Sequence, residues 1–148
     1  MLTSFNIRVY GVLINKQKQV LVSDERIYNK NITVTKFPGG GLELGEGTRD
    51  CLIRECKEEL NIDVEISEHL YTTDFFQQSA FNNSHQIISI YYIIHPVKEL
   101  ALPVNNGMPV YPETVGEIFR FIDWDYFNEG VMTLPIDKIA AKILKDKF

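Results

Sequence analysis

The chain has little of what staples, ligates or inserts. It holds two cysteines, three histidines and one tryptophan in 148 residues. Cys51 and Cys56 fall in a stretch that reads as helix. At about 100° per residue they point in clearly different directions. A disulfide framework is therefore excluded, and a reducing, cytoplasmic setting is expected. His69, His85 and His95 lack the spacing of a metal-binding set. Positive charge is also scarce: 15 Lys and Arg stand against 20 Asp and Glu, a net charge of -5. That balance argues against nucleic acid as a partner. A small phosphorylated ligand would need local cations or a metal ion. No apolar run is long enough to cross a bilayer. The most apolar stretch, Ile87 to Ile94, is far shorter than the ~20 residues a spanning helix needs, so no membrane partner is expected. The N-terminus shows no basic stretch, apolar core and small-residue cleavage site. No repeat or linker stands out, and residues 1–148 read as one domain. With 45% hydrophobic residues the chain can bury a core.

Phe5 to Ile14 is rich in β-branched and aromatic residues and reads as a strand, followed by a polar turn at residues 15–18 and a returning strand from Gln19 to Ser23. Tyr28 to Thr35 reads as a polar loop. Phe37-Pro38-Gly39-Gly40-Gly41 suits neither helix nor central strand. Thr48 is a candidate N-cap for a helix from Arg49 to Leu60, with Asp50 in its first turn and Leu52, Ile53, Cys56 and Leu60 on one apolar arc. Asp63 to Tyr71 and Thr73 to Gln78 read as two strands or one bent strand. Gln86 to Val97 is a long strand, Leu100 to Glu113 a proline-bearing loop, and Glu117 to Ile122 another strand. Pro135 opens a C-terminal helix with Ile136, Ile139, Ala140, Ile143 and Leu144 at helical spacing. This order implies an α/β (α+β) fold, a mixed sheet with helices on its faces.

Chemistry concentrates between Gly39 and Ile62. Glu55, Glu58 and Glu59 share one side of the helix at the edge of its apolar arc, and Glu46 adds a negative charge just before it. Like charges at this spacing cost a few tenths of a kcal/mol per pair in water, and more where the dielectric falls. A hard divalent cation with oxygen ligands would relieve the repulsion. The glycines expose backbone carbonyls and allow close approach of a ligand. Glutamate is also a good helix former, and an ordinary charged helix would look much the same over this stretch alone.

The segment Gly40-Gly41-Leu42-Glu43-Leu44-Gly45-Glu46-Gly47-Thr48-Arg49-Asp50-Cys51-Leu52-Ile53-Arg54-Glu55-Cys56-Lys57-Glu58-Glu59-Leu60-Asn61-Ile62 resembles the Nudix box, G-x5-E-x7-R-E-U-x-E-E-x-G-U with U a bulky apolar residue. Gly40, Glu46, Arg54, Glu55, Glu58, Glu59 and Ile62 match in register. Cys56 takes an apolar slot, a mild change. Asn61 replaces the last glycine, and asparagine is the best substitute where a helix ends in a left-handed residue.

The resemblance implies a Nudix-like α/β/α sandwich and metal-dependent hydrolysis of a diphosphate linkage in a nucleoside diphosphate joined to a variable group. It implies that Glu55 and Glu59 hold magnesium or manganese, with Glu58 a further ligand or the base and the Gly39 carbonyl completing the shell. Arg54 would orient the carboxylates, and Glu46 would assist through the metal or its waters. Relatives differ in which glutamate takes the proton, so the base is left open. Homodimers are frequent among relatives, which makes pairing of two copies a further implication. A non-catalytic nucleotide sensor on the same fold is the alternative; such proteins often lose box glutamates, and this chain keeps them.

Outside the box, Arg26 and Glu117 are the candidates for the substrate side, with Glu113 competing with Glu117 to complete the site. Surface solvation is the expectation for Lys36. Of Phe75 and Phe76, and of Tyr91 and Tyr92, at most one of each pair can face a site, because strand neighbours point to opposite faces; most of these aromatics are expected in the core. His85, at the start of the long strand, is within reach of a pocket.

Overall fold

The computed structural model describes residues 1–27, 32–109 and 116–148. In chain order the elements are β1 (Ser4–Leu13), β2 (Gln19–Ile27), β3 (Ile32–Lys36), β4 (Gly39–Gly41), α1 (Thr48–Leu60), β5 (Val64–Thr72), β6 (His85–Pro96), β7 (Glu117–Asp123) and α2 (Pro135–Lys147). They form two sheets, a four-stranded one ordered β4-β1-β6-β5 and a three-stranded one ordered β3-β2-β7. Among the strands of the described residues β1 and β6 pair in parallel and the other strand pairs are antiparallel; a single parallel bridge also joins Val104 to Phe121. Among the described residues no helix is long and apolar enough to cross a membrane.

Strand alternation distributes the core to two faces. Tyr10 and Val12 of β1, Val20 and Val22 of β2, Tyr91 and Ile93 of β6 and Ile122 of β7 pack with Ile136, Ala140, Ala141 and Leu144 of α2. Their neighbours Val9, Leu13, Leu21, Tyr92, Ile94 and Phe121 pack instead with Cys51, Leu52 and Cys56 of α1. Both sheets thus contribute to both cores, and the strands form a mixed layer between two helices. This is the expected α/β/α arrangement, built from two hydrogen-bonded sheets. The smaller sheet is bound by a buried ion pair. Arg120 donates from Nε to Asp24 Oδ2 at 2.6 Å and from Nη2 to Oδ1 at 3.2 Å, and Thr35 Oγ1 donates to Oδ1 at 2.6 Å.

Three local expectations are corrected. Ile32–Lys36 is a strand and not part of a polar loop, because its β-branched residues pair with β2 and bury Val34. Thr73 to Gln78 is not a strand. Thr73 closes the β5 ladder through its N–H to Ser89 O at 3.0 Å, and beyond it only an isolated bridge joins Gln78 to Gln86. Gly47, not Thr48, caps α1; Gly47 is extended, and the Thr48 hydroxyl shares a 2.6 Å hydrogen bond with Tyr92 OH.

At the other end of α1, Asn61 sits in the left-handed region at φ 53° and its N–H donates to Lys57 O at 3.0 Å. Glycine adopts that conformation without strain, whereas a β-branched residue does not. Asn61→Gly should leave stability within about 0.5 kcal/mol of the parent, and Asn61→Val should cost about 1–2 kcal/mol. Chemical denaturation of the three proteins checks this. A large loss in the glycine variant would assign the asparagine side chain a role beyond ending the helix.

Candidate active site

The site forms where α1 faces the glycine loop. Arg54 joins the two. Its Nη2 and Nε donate to Glu46 Oε1 at 2.7 Å and Oε2 at 3.0 Å, and Nη2 also reaches Gly41 O at 3.1 Å. Nη1 donates to Glu55 Oε1 at 3.0 Å and Glu58 Oε2 at 3.2 Å. This two-pronged contact holds the Glu46 carboxyl far down, at a pKa of about 2, with the Arg54 hydrogen bonds as the largest cause. The guanidinium is held still more firmly protonated by the same contacts.

The glycines answer to the carboxylates. A side chain at Gly40 would place its Cβ 2.5 Å from the Glu55 carboxyl carbon. Gly39, at φ +150° opposite Tyr10 on β1, would drive a Cβ to 2.1 Å from Val9 O. The loop can lie this close to β1 and Glu55 only because both positions lack a side chain.

Glu59 stands apart from the Arg54 network. Its Oε2 is buried without a hydrogen-bond partner. Its proton affinity is raised well above the carboxylate range, first by burial and then by the charge of Glu117, with Lys36 opposing and a hydrogen bond and charge from Glu55 adding to it. Glu58 is more exposed, with 59% of its side chain accessible against 14% for Glu55. Among the described residues no three His, Cys, Asp or Glu side chains converge tightly enough to hold a metal as they stand; Arg54 draws Glu55 and Glu58 toward itself. The donor chemistry nevertheless fits a hard divalent cation: carboxylate oxygens, one of them buried and orphaned, beside a backbone cradle that a Cβ would fill.

Glu117 reaches this cluster from β7. Its Oε2 accepts from Ser23 Oγ at 2.7 Å and lies 3.3 Å from Lys36 Nζ. Lys36 is the main correction here. It is not a solvated surface lysine but is 8% exposed, paired to Glu117 and, at 3.4 Å, to Glu25. Burial alone would lower its pKa, but Glu117, Tyr10, Glu25 and Glu59 together push it up to about 12. Glu113 lies outside the described residues. Arg26 is half-buried on β2, where its neighbours Glu25 and Ile27 line the cavity described next; strand alternation directs Arg26 to the opposite face. Its backbone N–H donates to Gly116 O at 2.8 Å.

Beside the cluster is a cavity of about 350 Å³ between the sheets and the start of α2. Arg8 and Tyr10 of β1, Glu25 of β2, Lys36 of β3, Tyr91 of β6, residues 77–82 and Asp137 of α2 line it. Arg8 feels the charge of Glu55 and Lys36 that of Glu59, so the two cations stand between cavity and acidic cluster. His85 lines the cavity too. Tyr91 and Tyr92 point to opposite cores, as alternation requires, and Phe75 and Phe76 are 40% and 60% exposed. The sequence reading missed Arg8, Tyr10 and Asp137. The signal for the first two was present: Asn6, Arg8 and Tyr10 recur with period two along a strand whose other face is apolar. Cys51 and Cys56 are free, buried, and pushed up to about 12 chiefly by burial, so neither is a nucleophile.

Gly40→Ala separates the cradle from the fold. The clash falls on the flexible end of Glu55, so stability should change by about 1 kcal/mol or less, while displacement of that carboxylate should lower the diphosphate hydrolysis that the resemblance to the box implies by about a hundred-fold or more. Denaturation and one rate measurement check both. Parent-like activity would mean that the Glu55 position is not critical.

Comparison with known proteins bears on the same region and on the fold as a whole. The NUDIX domain family profile matches residues 4–144. The chain is 28% identical over 131 residues to Nudix hydrolase 2 of Arabidopsis thaliana, covering 85% of this chain and 42% of that protein. It is 29% identical over 121 residues to the mRNA-decapping protein OPG122 of Variola virus, covering 66% of this chain and 49% of that one. The chain therefore spans about half the length of these relatives or less. A NUDIX hydrolase from Nitrosomonas europaea superposes with a TM-score of 0.69 at 15% identity, covering 97% of this chain and 90% of the other. The MutT protein from Methanosarcina mazei gives 0.68 at 18% identity over 99% and 96%. An ADP-ribose pyrophosphatase from Streptococcus suis gives 0.57 at 16% identity over 95% and 87%. Matched along nearly its whole length by the family profile and keeping the box glutamates in register, the chain belongs to the NUDIX domain family.

Proposed function

We propose that the protein hydrolyses the diphosphate linkage of a nucleoside diphosphate joined to a variable group, with magnesium or manganese, in a reducing cytoplasm. The observation that carries this reading is the buried, unpartnered Glu59 Oε2, whose carboxyl feels the charge of Lys36, a cation that lines the neighbouring cavity together with Arg8. Carboxylates and cations set side by side suit a ligand that brings its own phosphates and a divalent ion.

Glu55 and Glu59 would hold the ion, with Glu58 and the Gly39 carbonyl as further ligands. Bound there, the ion supplies a lowered pKa for the attacking water and neutralises charge on the bridging oxygens. Arg8 and Lys36 bind the phosphate oxygens at the cavity mouth. Arg54 fixes the Glu55 and Glu58 carboxylates to the loop, so that they do not drift with the ligand. A glutamate of the cluster takes the proton from water as the new P–O bond forms. The old P–O bond breaks on the far side of the same phosphorus, and the substrate leaves as two phosphorylated halves.

The likeness to proteins named as an ADP-ribose pyrophosphatase and an mRNA-decapping protein sets two arms of the test beside the nucleoside triphosphates: ADP-ribose and a capped mRNA. At least one substrate should be cleaved at a diphosphate bond with magnesium or manganese, and excess chelator should abolish the reaction reversibly. Robust turnover in chelator would contradict the metal dependence. Tight binding without turnover across the panel would favour a nucleotide sensor instead.

A further inference from the structure

Among the described residues one arginine and one lysine line the cavity, and they differ in the donors they have left. Lys36 is shared between Glu25 at 3.4 Å and Glu117 at 3.3 Å. Arg8 donates from Nε to Tyr10 OH at 2.7 Å, and among the described residues neither of its Nη groups meets an acceptor. The guanidinium lies beside the glycine loop. A Cβ at Gly41, the partner of Arg8 across the β1–β4 ladder, would stand 3.7 Å from Nη1. Burial works against the Arg8 charge, and Tyr10, Glu55 and Glu25 more than offset it, so the side chain keeps its proton.

The group that holds Arg8 is itself held. Tyr10 is 6% exposed, and its ring stacks on Tyr91 with centroids 5.4 Å apart. Tyr91 OH donates in turn to Asp137 Oδ1 at 2.5 Å, in the first turn of α2. The phenol oxygen of Tyr10 is thus a fixed point on a buried ring. Burial also keeps that phenol a neutral hydroxyl, by raising its pKa. A guanidinium that gives its Nε–H to a fixed acceptor keeps the N–H groups of both Nη atoms, in one plane and one direction.

We propose that Tyr10 is a positioning residue for diphosphate binding: its hydroxyl takes the Arg8 Nε–H and so aims the Nη fork at two oxygens of one phosphate group. This rests on the reading of the cavity and acidic cluster as a diphosphate site. Tyr10 brings no charge, and its effect passes through Arg8. Lys36, already engaged by two carboxylates, supplies charge, whereas Arg8 supplies charge with direction.

The test is isothermal titration at pH 7.5 of methylenediphosphonate, a diphosphate analogue bridged by carbon, with excess magnesium so that binding stays measurable after Arg8 is changed. Tyr10→Phe keeps the stacked ring, removes only the hydroxyl, and should weaken binding by about five- to ten-fold. Arg8→Met should weaken it further. In the Arg8→Met background Tyr10→Phe should change affinity by less than about two-fold, the non-additivity expected of residues that act as one unit. An equal loss in both backgrounds overturns the proposal, since a structural effect of the phenol would give that result. Parent-like binding by Tyr10→Phe overturns it too. Arg8→Lys keeps the charge but lacks the fork, and should lose about as much as Tyr10→Phe. Parent-like binding there overturns the proposal independently of the Tyr10 variants. Failure of the parent to bind the analogue overturns it together with the diphosphate reading. Hydrolysis of a substrate without the coupling sinks the Tyr10 proposal alone, and the coupling without hydrolysis sinks the enzymatic reading alone.

Discussion

The Arg54 guanidinium holds together two parts that would otherwise repel or drift, the acidic face of α1 and the loop before it. It spans Glu46 with two donors, reaches the Gly41 carbonyl, and draws in Glu55 and Glu58. Without it, three glutamates within five residues of helix would face a fourth from the loop with only Arg8 and Lys36, farther off, to balance them. Because Arg54 spends its donors on those partners, Glu59 is left out. It is buried against Glu55 and Glu117 and partly balanced only by Lys36. The geometry thus concentrates the unmet demand for positive charge on one carboxylate.

The same logic runs across the molecule. Acids and bases alternate from α1 into the cavity: Glu55 and Glu59, then Arg8 and Lys36, then Asp137. They come from four elements, Glu55 and Glu59 from α1, Arg8 from β1, Lys36 from β3 and Asp137 from the first turn of α2. The buried Asp24–Arg120 pair locks β2 to β7, which fixes Glu25 and Glu117 on either side of Lys36. Loss of one partner of such a pair typically costs about 3–5 kcal/mol, so the smaller sheet has little freedom to change its register.

Much of this was legible because it is local. The box glutamates, the glycine run, the helix over residues 49–60 and the left-handed Asn61 all depend on neighbours within a few positions, where spacing and backbone conformation suffice. What was missed is non-local. Lys36 looks like a surface residue until β2 and β7 bring Glu25 and Glu117 to it, and nothing in its own neighbourhood reports that pairing. Asp137 reads as an ordinary acidic residue in a helix's first turn, and only packing of α2 against Tyr91 buries it. The strand at Ile32–Lys36 was obscured by the polar residues before it, and its identity comes from the partner strand.

The central claim is that the acidic cluster on α1 is built for a cation and not merely tolerated. Thermal melts of the parent and Glu59→Gln, with and without magnesium, address it directly. Glutamine keeps the shape and helix propensity and removes a carboxyl whose charged form burial and the neighbouring carboxylates disfavour. The metal-free variant should therefore be as stable as the parent or slightly more so, and magnesium should raise the parent's melting temperature by mass action while raising the variant's less. Equal stabilisation of both proteins by magnesium, or a marked loss of stability in the metal-free variant, would contradict the account.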